Sequence, residues 1–202
     1  MVLYGASGHA KVIIDILYKN KNHVKSIYDD NSKLYKILSY RVKTPPITKD
    51  DLKESFIISV GDNNIRKNIS QKLICKYGQA IHPNSVIDIT VKIGFGSVLM
   101  SNSVINSSSV IGNHVIINTL SSIDHDCYID DFVHISPNAC LCGGVVVGEG
   151  THIGAGAVII PNIKIGKWSV IGAGSVVITN IPDNVVVVGN PAKIIKENIH
   201  EK

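Results

Sequence analysis

Every sixth residue from Ile81 to Val177 is Ile, Leu or Val, seventeen positions without an exception. A period of six fits neither a helical face at 3.6 nor a lone strand at two. The residue four places after each is mostly small or β-branched: Ser85, Ser97, Ser103, Ser109, Ser121, Cys127, Ala139, Thr151, Ala157, Ser169 and Ser175. A second period lies on top of the first. Gly94, Gly112, Asp130, Gly148 and Gly166 are 18 apart, so three hexapeptides make one coil. Gly and Asp tolerate the backbone that a corner requires. Self-similarity at a fixed step marks a solenoid, and hexapeptides read as a parallel β-helix in which each coil buries its neighbour's apolar edge.

The repeat takes about half of the 202 residues, which leaves a small N-terminal domain over 1–80 and the β-helix over 81–202. No 18-residue apolar run is present, so no membrane span is expected. MVLYGASGHAKV lacks the basic region and long apolar core of a signal peptide. Cys75, Cys127, Cys140 and Cys142 fit no disulfide framework or zinc spacing. Reduced thiols and a cytoplasmic location are therefore expected. The charge is uneven. Residues 1–80 carry 14 Lys and Arg against 7 Asp and Glu, a balance of +7, whereas residues 81–202 carry 6 against 9, a balance of −3. A basic small domain suits an anionic ligand; a solvated, lysine-rich surface would give the same count. No nucleic-acid partner is expected.

The small domain reads as a truncated α/β unit. Val2-Leu3-Tyr4 is a short strand, Gly5 to Ala10 a glycine-rich turn, and Lys11 to Tyr18 a helix with Val12, Ile13, Ile16 and Leu17 on one face. A second strand, Val24 to Tyr28, ends in Asp29-Asp30, and Phe56 to Val60 is a third, apolar as a buried parallel strand should be. Gly61 to Arg66 opens another helix. Strand, glycine turn, helix, strand ending in Asp is the order of a nucleotide-binding half. The glycine fingerprint is imperfect: its three places hold Gly5, Ser7 and Ala10. Under 80 residues is also short for the two halves that a dinucleotide uses. A mononucleotide or nucleotide-sugar at the helix N-terminus fits better.

YGASGHAKV, the YDD of 28–30, VGDNNIRKNI of 60–69, the hexapeptides, IDHDC of 123–127 and VVVGNPAKII near the end together resemble the NeuD/PglD-type sugar acetyltransferases. The resemblance implies a Rossmann-like N-terminal domain, a left-handed β-helix ending in a strand and short helix, a homotrimer, and acetyl-CoA as co-substrate. It also implies a place in polysaccharide or glycan biosynthesis. The histidine of the H-[DE]-C motif, here His125, resembles the family's general base, and Asp126 the acid that raises its basicity. His134, Ala155 and Ala173 match positions that contact acetyl-CoA.

The chemistry of the residues agrees. Acetyl transfer to an amine or hydroxyl needs one base near neutral pKa, and an adjacent carboxylate fixes its tautomer. Gly143 follows His125 by one coil and is a candidate oxyanion donor through its N–H. His134 and His152 are also 18 apart and should stack. Ser7, Asp29, Asp30, Asn63 and Arg66 are the candidates for holding the substrate. His114, His125, His134 and His152 are spaced 11, 9 and 18, unlike the paired histidines of metal-dependent β-helix enzymes, so no metal is expected. The leading expectation is N-acetylation of a nucleotide-linked amino sugar, with a UDP-4-amino sugar favoured. O-acetylation of sialic acid or another sugar keeps the same fold and base. A binding or assembly module without catalysis is the reading from another class.

Overall fold

The computed structural model describes residues 1–198. The small domain runs β1 (Val2–Tyr4), α1 (Gly8–Lys19), β2 (Ser26–Tyr28), β3 (Lys36–Ile37), β4 (Tyr40–Lys43), β5 (Ser55–Ile58), α2 (Asn63–Lys72) and β6 (Lys76–Tyr77). Its six-stranded sheet has the order β3-β4-β2-β1-β5-β6, parallel except for the β3–β4 hairpin. The strand–helix–strand order is as expected from sequence. The edge hairpin is an addition, too short and charged to give a period. Helix α1 starts three residues earlier than its apolar stripe suggests, with Ser7 as its extended N-cap. Gly5, at φ +112°, makes that turn; a Cβ there would lie 2.7 Å from Val60 Cγ2 and 3.0 Å from Ser59 O.

Seventeen two-residue strands follow, from Ala80–Ile81 (β7) to Val176–Val177 (β23). They form three parallel sheets in which each residue pairs with the one 18 further on, such as Leu99 with Ile117 and Ile117 with Ile135. The result is a triangular left-handed β-helix with one face per sheet. The first face carries His134–Ile135 and His152–Ile153, the second Ser122–Ile123 and Val158–Ile159, and the third Tyr128–Ile129 and Val146–Val147. The six-residue ladder of Ile, Leu and Val fills the interior, fully buried from Leu99 to Val177 and only partly at Ile81, Ile87 and Ile93, where the first coils lie. The small residues between them are also buried, and their hydroxyls work for the backbone. Ser109 Oγ donates to Asp124 O at 2.7 Å and accepts from Cys127 N at 3.1 Å. A buried hydroxyl is tolerated there because both roles are filled.

Past the coils, β24 (Val185–Val188) continues the first face, and β25 (Lys193–Glu197) pairs with it antiparallel. The expected C-terminal helix is absent from the described residues. Ile194 and Ile195 prefer extended backbone, and the edge of β24 offers it partners. No described helix is long and apolar enough to cross a membrane.

The two parts are packed together. Ile13, Ile14, Ile16 and Leu17 of α1 share one apolar cluster with Val98, Met100 and Ile116 from the first face. Asn20 Nδ2 donates to Ile81 O at 2.7 Å, and Lys67 pairs with Glu149 while lying over the Trp168 ring.

Candidate active site

His125 stands on the turn between the second and third faces. Its backbone is fixed: N–H donates to Asp124 Oδ1 at 2.9 Å, and the carbonyl accepts from Gly144 N at 2.9 Å. Asp126 has φ 58°, a left-handed turn position that an Asp tolerates, and its Oδ2 lies 2.7 Å from His125 Nδ1. The side chains are 57% and 65% exposed, so the pair is open to a substrate. The hydrogen bond to Asp126, and next the charge of Asp124, raise the His125 pKa. A carboxylate on Nδ1 stabilises the imidazolium and directs Nε2 outward as the proton acceptor.

Gly143 sits one coil below. A Cβ there would lie 2.6 Å from His125 Cε1 and 2.7 Å from Nε2, so the reactive edge of the ring rests on a glycine. Its carbonyl accepts from Asn162 N, and among the described residues its own N–H has no acceptor. That leaves the amide available beside the base, as a developing oxyanion requires. Gly143→Ala should therefore displace the imidazole and lower kcat about 10²-fold, the order expected for a misplaced catalytic group, with thermal stability nearly unchanged. An unaltered kcat would remove the constraint.

Ala155 and Ala173 lie exposed on a different corner, between the first and second faces. They form a ridge with Gly156 and Gly174, where an added Cβ meets nothing within 4 Å. That surface is smooth enough for a pantetheine-like chain, and Gly174 N–Ala155 O holds successive coils at 2.8 Å. His134 lies on the first face, stacked on His152 at 4.8 Å as the 18-residue spacing predicts. Its Nε2 is 3.1 Å from Asn118 Nδ2, its Nδ1 is buried, and burial, then His152, push its pKa down to about 3. One chain thus does not gather His125, His134, Ala155 and Ala173 at one point.

The substrate candidates divide. Ser7 is exposed and its hydroxyl makes no cap bond. Asp30 lines a cavity of about 750 Å³ with Tyr4, Pro45, Ile47, Leu52 and Ile65, and accepts from Tyr4 OH at 2.6 Å. Tyr4, the last residue of β1, was passed over in the sequence because a strand-end tyrosine carries no periodic signal. Asp29 instead holds the glycine turn, through Ala6 N at 2.7 Å and Asn31 N at 2.8 Å.

Arg66 is a correction. Arg66 is 1% exposed and all five of its N–H groups are used, on the carbonyls of His114, Phe132, Val60 and Gly61 and on Asn63 Oδ1, at 2.8–3.1 Å. Asn63 Nδ2 reaches Gly150 O at 3.0 Å. Both pin α2 to the β-helix; Arg66 is closed to substrate, whereas Asn63 lines a cavity of about 420 Å³ with Asp62, His134, His152 and Trp168. An arginine in a basic helix looks solvent-facing in a sequence; the carbonyls that claim it come from coils 48 and 66 residues away.

Residues 1–73 match the PglD N-terminal domain family, and 121–160 and 144–179 match the bacterial transferase hexapeptide family. A variant of perosamine N-acetyltransferase from Caulobacter crescentus, solved with CoA and GDP-perosamine, is 34% identical over 97% of this chain and 96% of that one, with a TM-score of 0.90. The chain belongs to the NeuD/PglD-type sugar acetyltransferases. It is an acyltransferase by family. The acetyltransferase domain of PglB from Neisseria gonorrhoeae, solved with acetyl coenzyme A, is 34% identical (96% and 98% covered, TM-score 0.86). WeeI from Acinetobacter baumannii is 27% identical (96% and 98%, TM-score 0.88). A 68-residue stretch is also 43% identical to an uncharacterised protein of Acanthamoeba polyphaga mimivirus, over 33% of this chain and only 14% of the viral one.

Proposed function

We propose that this acetyltransferase moves the acetyl group of acetyl-CoA onto the amine of a sugar carried by a nucleoside diphosphate, with His125 as general base. The observation that carries the reading is the imidazole fixed by Asp126 at 2.7 Å with its reactive edge over the Gly143 backbone. The amine nitrogen forms the new C–N bond as the thioester C–S bond breaks. His125 takes the proton from nitrogen and returns it to the departing thiolate, and the Gly143 amide steadies the oxyanion. The relatives solved with CoA or acetyl coenzyme A and with GDP-perosamine support donor and acceptor class alike.

The separate corners of one coil support a site shared between copies. The second face is an outward row that includes Val86, Val104, Val158 and Val176, apolar enough to meet another copy. A homotrimer would bring the small-residue ridge and His134 of one chain to His125 of the next.

The glycine turn, Ser7 and the cavity beside Asp30 lie at the carboxyl ends of β1 and β2, where open α/β sheets hold nucleotides. A free anionic sugar would meet the Asp30 carboxylate unfavourably. GDP or UDP should therefore compete with the acceptor and leave acetyl-CoA KM unchanged. Asp30→Ala should raise acceptor KM roughly 10–100-fold, the equivalent of one hydrogen bond to a charged group. If neither nucleotide competes at millimolar concentration and Asp30→Ala is silent, a free-sugar acceptor replaces this reading.

A further inference from the structure

The His125 side chain is more than half exposed, and Asp126, its side-chain partner among the described residues, is more exposed still. Such a pair is held in place by its backbone. Asp124 supplies that hold from both neighbouring coils. Its Oδ1 accepts from His125 N at 2.9 Å and from Asn106 Nδ2, one coil earlier, at 2.8 Å. Its backbone carbonyl accepts from Ser109 Oγ at 2.7 Å, and its N–H donates to Leu141 O of the following coil at 2.9 Å. The 18-residue step places Asn106 beneath Asp124 as it places Gly143 beneath His125.

We propose that Asp124 is a positioning residue for acetyl transfer. It clamps the His125 amide so that the imidazole stays seated over Gly143, and it supplies a second fixed negative charge beside the ring. The inference rests on His125 being the base. Asn106 keeps the carboxylate in this geometry and, with the His125 amide, favours its charged form. The carboxylate in turn raises the His125 pKa, second only to Asp126. The other titratable groups around this corner do not compete. Burial raises the pKa of Cys127 in the same turn and of Cys142 in the next coil, which keeps both uncharged. Asp88, two coils back, bonds to Thr90.

The test is an NMR titration of the His125 Cε1 proton in the intact protein, which requires no acceptor. Asp124→Asn keeps an acceptor for both N–H groups and removes only charge. It should lower the His125 pKa at low salt, because a fixed negative charge beside the ring is lost. The difference should shrink in 1 M salt. Asp124→Ala should lower the pKa as well, and should also weaken the nuclear Overhauser contact between His125 Cε1–H and Gly143 Hα, which the Asn variant retains. An Asn variant that titrates with wild type, or an Ala variant with the contact intact, overturns the proposal. A failure of the acetyltransferase reading would appear separately, as no acetyl transfer while these shifts stand.

Discussion

His125→Ala should lower kcat about 10²–10⁴-fold, the usual contribution of a positioned general base. The dissociation constant for acetyl-CoA should change little, because the candidate coenzyme surface is the ridge around Ala155 and Ala173 and the imidazole's part is the acceptor's proton. Stopped acetyl transfer with unchanged coenzyme binding is the signature; near-full activity removes His125 from the chemistry. The pH profile carries the same assignment with a definite sign. The working form of a base is the neutral imidazole, so kcat/KM should rise with pH and level off above the His125 pKa. Asp126 raises that pKa first and Asp124 second, so the rising limb should lie above the ordinary histidine value. Asp126→Asn should move it to lower pH.

Arg66→Leu should destabilise the folded protein by about 3–5 kcal/mol, because it strands several buried acceptors that each cost about 1–3 kcal/mol when unsatisfied. Those acceptors are the carbonyls of Val60, Gly61, His114 and Phe132 and the side-chain oxygen of Asn63. Burial lowers the Arg66 pKa to about 9, which still leaves it charged at neutral pH. Lysine cannot replace it, since three donors on one nitrogen do not reproduce a planar fork of five. Chemical denaturation followed by tryptophan fluorescence measures the loss, because Trp168 lies at this junction beneath Lys67. Limited proteolysis near residues 78–80 should speed up in parallel. A change below about 0.5 kcal/mol would mean that the α1 cluster and the other contacts hold the two parts without Arg66.

The β-helix was legible because its physics is one-dimensional. Each interior position sees the same environment in every coil, so the pattern repeats where the geometry repeats. The same step predicted the stacking of His134 on His152 and of His125 over Gly143. The small domain was legible in its apolar strands and glycine turn, and less so at its edges, where β3 and β4 depend on pairing. The site residues separated along a similar line. His125 and Asp126 announced themselves as ionisable groups inside an apolar schedule. Arg66 carried the same polar signal and serves structure, because sequence shows a donor's presence but not the carbonyls that reach it. Where a short C-terminal helix is expected, the chain forms the strand β25 for a related reason: its partner β24 decides its conformation.

The central claim is that an amine on a nucleotide-linked sugar receives acetyl directly from acetyl-CoA. The most direct measurement incubates the protein with acetyl-CoA and a panel of GDP-, UDP- and dTDP-linked 4-amino sugars beside free sialic acid, following thiol release and product mass. The account predicts thiol release with one nucleotide-linked amine, a product heavier by one acetyl group on nitrogen, and loss of both in His125→Ala. Acetylation of sialic acid alone, or thiol release that His125→Ala leaves intact, would contradict it.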